Sequence, residues 1–118
     1  MRLLLITSRE TKRWVLPKGN PIRGLDPHLA AAAEAYEEAG ISGFVCPTPV
    51  GNYAYDKRRR NGSVIRATVD VYPLAFITQL DTWPEAHERT TQWFTLADAA
   101  AAVEEAELKS IIAGFRQP

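Results

Sequence analysis

Glu34, Glu37 and Glu38 stand together in the stretch EAYEEAGI, residues 34–41, which closes on a glycine. On a helix, residues three and four apart share a face, so Glu34 stands beside both of the others. Like charges at that spacing cost about 0.2–0.5 kcal/mol per pair. The C-terminal end of a helix favours cations, which adds to the penalty. Local physics alone does not choose this arrangement, so a compensating positive charge is expected. Carboxylate oxygens are the ligands that Mg²⁺ takes, with water and substrate phosphate completing the octahedron. The competing reading is a solvated helix face partnered by nearby Lys or Arg.

The elements that must position these residues are legible around them. Asp26 suits a helix cap, Pro27 suits the first helical position, and HLAAAAEAYEEA is rich in Ala and Glu. Gly40 suits the left-handed residue after the helix. Before it, RLLLIT (2–7) reads as a buried strand, WVLPKG (14–19) as a short strand and NPIRGLD as a loop. After it, residues 41–55 read as extended chain broken by prolines, and DKRRRNGS as a turn with Asn61-Gly62 as a hairpin signal. Residues 64–78 read as the strongest strand, 81–91 as a polar loop, 92–95 as a short strand and 96–115 as helix in two pieces. The order β, β, α, β, β, β, α predicts an α+β fold, an α/β/α sandwich in which helices pack on the faces of a mixed sheet.

Composition bounds the rest. The 118 residues fit one domain, 1–118, and 46% of them are hydrophobic, enough for a core. Fourteen basic and fourteen acidic residues cancel, so no global field points to nucleic acid or a membrane. Charge is nevertheless clustered: Lys57-Arg58-Arg59-Arg60 is a basic run, and Glu104, Glu105 and Glu107 form an acidic patch. The lone Cys46 allows no intrachain disulfide, which reads as a reducing cytoplasm. The apolar start MRLLLIT is too short for a signal peptide or a membrane span.

The spacing of Gly19, Glu34, Glu37, Glu38, Gly40 and Ile41 resembles the Nudix box, G-x5-E-x7-R-E-U-x-E-E-x-G-U, with Ala35 at the apolar position U after Glu34. The resemblance implies a Nudix fold and a loop–helix–loop structure for the box. It also implies that Glu34, Glu37 and Glu38 are catalytic, and that with the Gly19 carbonyl they hold Mg²⁺ or Mn²⁺ at a diphosphate under attack by water. Two positions depart from the pattern: Leu25 stands where the first box glutamate falls, and Ala33 where the arginine falls. In the family that pair mostly braces the box. RWVLPKG, YDKRRRNGS and W-P-E-x-H-x-R-x-x-x-W-F also resemble the diphosphoinositol-polyphosphate and diadenosine-polyphosphate branch. The family usually carries another strand before LLLIT, so the expectation is a sheet short of one edge strand or a truncated sequence.

A polyphosphorylated substrate needs fixed cations, and arginine matches phosphate oxygens best. The candidates are Arg9, Arg13, Lys18, Arg23, Lys57, Arg58, Arg66 and Arg89. Against this stand a solvated turn for Lys57–Arg60 and a structural ion pair with a loop acid for Arg89. Trp14, Trp83 and Trp93 invite base stacking, but Trp14 and Trp93 suit packing or loop fixing better. His28 and His87 have no second histidine at ligand spacing and are left out of the metal set. The general base is open between Glu38 and the loop residues Glu85 and Glu88.

The expected function is hydrolysis of a phosphoanhydride in a diadenosine polyphosphate or diphosphoinositol polyphosphate, with Mg²⁺ or Mn²⁺ as cofactor. The alternative is a catalytically weak nucleotide-binding or sensor module, in which Leu25 and Ala33 have weakened the box. The expected partner is a small molecule, with no nucleic acid and no membrane, for a monomer or a homodimer. A nucleic-acid contact through Lys57–Arg60 is the weakest reading, given the neutral net charge.

Overall fold

In the computed structural model, which describes residues 1–116, chain order is β1 (Arg2–Thr7), β2 (Trp14–Val15), α1 (Pro27–Ala39), β3 (Ile41–Val45), β4 (Gly51–Arg58), β5 (Val64–Val71), β6 (Leu74–Gln79), β7 (Thr91–Thr95), α2 (Leu96–Ala102) and α3 (Ala106–Ala113). The strands form three small sheets, β2-β1-β7, β3-β6 and β4-β5, and every ladder among the described residues is antiparallel. The α+β class is as expected.

The apolar run of β1 is continuous because both its faces are buried. Successive side chains on a strand point to opposite faces. Leu5 therefore enters one core, with Tyr53, Ala99, Val103, Leu108 and Ile112, while Ile6 enters another, with Val15, Ala39 and Ile41. Both residues are fully buried. Each such side chain contributes about 1.5–3 kcal/mol relative to exposure. The first core is roofed by α2 and α3; the second is closed by the end of α1 and by β3. β1 thus ties the two layers together.

Helix α1 starts and stops where its sequence signals stand. Pro27 opens it, Asp26 is extended and accepts through its backbone carbonyl from Ala30 N–H (3.0 Å), and Gly40 is left-handed at φ 69°. The Asp26 side chain makes no capping bond.

Two strand expectations are corrected. Residues 14–19 pair only over Trp14–Val15. Pro17 carries no N–H, and the Lys18 N–H goes to Glu38 Oε1 at 3.4 Å instead of to a strand. The single strand expected over 64–78 is two, parted at Tyr72-Pro73. β5 completes the hairpin with β4 from Arg58↔Val64 to Gly51↔Val71, and β6 leaves for β3. The Pro73 carbonyl marks the crossing by accepting from Cys46 N–H at 2.8 Å. The turn between β4 and β5 is closed by Arg59 N–H on Ser63 O (2.8 Å), with Gly62 at φ 85°.

Candidate active site

A helix leaves its last four carbonyls without helical partners. In α1 these groups are met by donors that follow it. Tyr36 O accepts from Gly40 N–H (2.9 Å), Glu37 O from Glu85 N–H (3.0 Å), Glu38 O from Trp83 Nε1 (3.2 Å) and Ala39 O from Gln79 Nε2 (2.9 Å). The Gly40 carbonyl accepts from Leu80 N–H at 2.9 Å. Trp83 also lies where a side chain at position 40 would stand, so Gly40 is required by its φ and by the ring above it. Five donors at the negative end of the helix offset part of the cost of placing carboxylates there.

Glu38 is buried at 5% exposure. Its Oε1 accepts from Lys18 N–H at 3.4 Å and faces Arg89 Nη2 at 3.7 Å. Burial pushes its carboxyl up to about 7; Arg89 opposes the shift, and the Glu34 carboxylate beside it adds to it. Glu34 itself rests on Gly19, so closely that a methyl at position 19 would overlap the carboxylate. The chain thus brings together Gly19, Glu34 and Glu38. Glu37 is on the same helix but exposed, and it is its backbone carbonyl that accepts from Glu85 N–H.

Among the described residues, no three His, Cys, Asp or Glu side chains gather closely enough to form a metal cage. What does gather is the Glu34 carboxylate against the Gly19 backbone and, beside it, the Glu38 carboxylate at the Lys18 N–H, an all-oxygen set of ligands. Mg²⁺ is commonly held by one or two carboxylates plus water and substrate phosphate, not by a complete protein cage. The donor set fits such an ion.

The candidate cations fall into distinct places. Lys18 lies half-buried over the Tyr55 ring, 4.8 Å from its centroid, and burial lowers its pKa. Lys57 donates to Asn20 Oδ1 at 2.6 Å, which ties β4 to the residue after Gly19. Lys57, Arg58, Arg59 and Arg60 line an open basic cleft with Asn61 and Ile65. Arg9 is exposed and meets Glu88 at 3.3 Å, and Arg23 is exposed in the loop before α1. Arg66 is exposed and pairs with Asp56 at 2.9 Å on the hairpin. Arg13 turns to the acidic patch, 3.0 Å from Glu105 and 3.6 Å from Glu104.

Arg89 departs from the expectation of a substrate contact. It is half-buried, with Nε on Glu85 Oε1 (2.9 Å), Nη1 on the Thr7 carbonyl (3.2 Å) and Nη2 towards Glu38. The structural ion pair with a loop acid is what forms. The two alternative loop bases are likewise engaged: Glu85 with Arg89, Glu88 with Arg9. Trp14 and Trp93 pack edge-on against Phe94 and Phe76.

A family model described as NUDIX domain matches residues 1–115. The chain belongs to the Nudix family. It is 29% identical over 98% of its length to Nudix hydrolase 16, mitochondrial, from Arabidopsis thaliana, covering 66% of that protein. It is 30% identical over 82% of its length to diphosphoinositol polyphosphate phosphohydrolase 3-beta from Bos taurus, and to the protein of that name from Homo sapiens, covering 56% of each. The chain therefore spans about half to two-thirds of the length of these relatives.

Within the Nudix box, positions 25 and 33 offer no bracing pair: Leu25 is exposed and Ala33 carries no charge. The guanidinium beside the buried box glutamate comes from outside the box, from Arg89. Reading the sequence did not single out Asn20 or Gln79 as partners of this Nudix site; it offered Tyr55 as one of two alternating strand tyrosines of which one could face the site, and Trp83 as a base-stacking candidate, not as a donor to the helix end. The nearest signal was the polarity of residues 81–91, which marked a loop without saying what it caps.

Proposed function

We propose that this Nudix chain hydrolyses phosphoanhydride bonds in a polyphosphorylated small molecule, a diphosphoinositol polyphosphate or a diadenosine polyphosphate. The observation that carries the reading is that Glu34 sits on Gly19 with Glu38 beside it at the Lys18 N–H, next to the turn that Lys57 ties down. Glu34, Glu38 and the Gly19 backbone, together with Glu37, would hold Mg²⁺ or Mn²⁺, which would supply charge neutralisation at the phosphates. Glu38 takes the proton of the attacking water at a carboxylate oxygen, from a buried position beside the Lys18 N–H. The new P–O bond forms to that water as the bridging P–O bond breaks, and the leaving phosphate carries the electron pair away. Lys18, Arg9 and the Lys57–Arg60 turn bind and orient the remaining phosphates. Relatives named for diphosphoinositol polyphosphates support the substrate class. The single, half-buried Cys46 suits a reducing compartment such as the cytoplasm.

The test is release of phosphate and nucleotide from diadenosine hexaphosphate, an inositol pyrophosphate, ADP-ribose and a nucleoside triphosphate. Each is run with Mg²⁺, Mn²⁺ or EDTA, for the native chain and for Glu37→Gln and Glu38→Gln. Metal-dependent turnover lost in both variants supports the reading. A second reading, a nucleotide sensor with little turnover, draws on the missing pair at Leu25 and Ala33. Tight binding without turnover supports it, and a large gain of rate in Leu25→Glu/Ala33→Arg would mark a weakened catalyst.

A further inference from the structure

We propose that Trp83 and Arg89 are positioning residues for Glu38, holding it at both ends so that its carboxylate stays in register with Glu34 and Gly19. The inference rests on the hydrolase reading above and assigns it residues outside the helix.

Glu38 is gripped twice by one segment. Its backbone carbonyl accepts from the Trp83 indole at 3.2 Å, and its carboxylate faces the Arg89 guanidinium at 3.7 Å. The indole ring lies against Gly40, where a Cβ would collide with it. The guanidinium is also held independently of Glu38. Its Nε is bonded to Glu85 Oε1 and its Nη1 to the Thr7 carbonyl at the end of β1.

Those two anchors are themselves fixed. The Glu85 N–H is tied to Glu37 O at 3.0 Å, and the Thr7 hydroxyl accepts from Thr90 N–H at 2.9 Å. Arg89 is therefore a charge whose direction the scaffold sets. Its longest contact is the one to Glu38, so the carboxylate is steered without having its oxygens consumed. A planar guanidinium with two bonds already made loses little freedom in presenting the third nitrogen. Outer contacts of this kind orient ligands that bind metals, and their loss typically costs about 10–100-fold in metal affinity or activity.

The experiment compares the native chain with Trp83→Phe, Arg89→Gln and Arg89→Lys. Trp83→Phe keeps an aromatic ring but removes the N–H donor together with part of the indole, so binding and kcat are read per folded molecule. Mn²⁺ binding is read by electron paramagnetic resonance, unfolding in urea with EDTA, and kcat and KM on diadenosine hexaphosphate. We expect Trp83→Phe to stay folded, to bind Mn²⁺ about tenfold more weakly, and to lose kcat with KM little changed. Arg89→Gln should show the larger loss and Arg89→Lys a partial rescue. Variants that lose stability yet bind Mn²⁺ with native affinity and keep native kcat per folded molecule would reduce both residues to a structural role and overturn the inference. If Arg89→Gln does not fold, Trp83→Phe decides alone. A native chain that takes up no Mn²⁺ would overturn this inference and the hydrolase reading together; native uptake with unchanged variants would overturn this inference only.

Discussion

The carboxylate of Glu34 stands directly on the backbone of Gly19, fifteen residues earlier in the chain, with no room for a side chain between them. Gly19→Ala would drive a methyl into that carboxylate. The expected result is loss of most turnover and weaker Mn²⁺ binding, with a small loss of stability, because position 19 is exposed and Glu34 is only half-buried. Parallel assays of Mn²⁺ uptake and urea unfolding check it.

Gly40 meets two constraints at once, a left-handed backbone and the Trp83 ring. A residue with a Cβ pays roughly 1–2 kcal/mol for that conformation. Forcing a methyl against packed groups adds about 1–3 kcal/mol. Gly40→Ala should therefore lower unfolding free energy by several kcal/mol, read as a shift in urea midpoint at constant m-value. A loss below 1 kcal/mol would mean the loop yields easily.

The raised carboxyl of Glu38 has a signed consequence for the protein in EDTA. Its proton is held up to about pH 7 in the folded chain against an ordinary 4.5, so the folded state binds it more tightly than the unfolded one. Stability from this group is present below about 4.5 and declines as pH rises towards about 7, by a few kcal/mol in all. Glu38→Gln should flatten that slope and, at pH 8, leave the metal-free fold at least as stable as the native one. Urea titrations of both proteins across pH 5–8 test this. A native slope that Glu38→Gln does not change would assign the dependence elsewhere.

The Lys57–Asn20 bond fixes the basic turn relative to Gly19. Asn20→Ala should let the turn drift and raise KM for diadenosine hexaphosphate several-fold, with kcat within about twofold. Arg58→Ala/Arg59→Ala/Arg60→Ala should raise KM further and reduce its dependence on salt, because screening acts on exposed charges. Steady-state kinetics at low and high salt separate the two effects.

Much of the fold could be read directly. Pro27 and Gly40 mark both ends of α1, and residues 2–7 form the strand their apolar run predicts. These signals are local: a missing N–H, a permitted positive φ, a face to bury. Residues 64–78 misled for the same reason. Their β propensity is real, but Pro73 and the demands of two different partner strands divide them.

The sequence by itself determined that a helix would carry Glu34, Glu37 and Glu38 and that a glycine would end it. The resemblance it carries pointed to Gly19 as their partner. Only the tertiary structure decided that Glu38 would be buried and Glu37 exposed, that Arg89 would serve the interior, and that Trp83 would hold the helix end. Burial and counter-charge depend on groups far along the chain: Trp83 reaches Glu38 across 45 positions and Arg89 reaches Thr7 across 82. No spacing rule spans such distances, because the folded backbone, and not the order of residues, sets which groups lose water together.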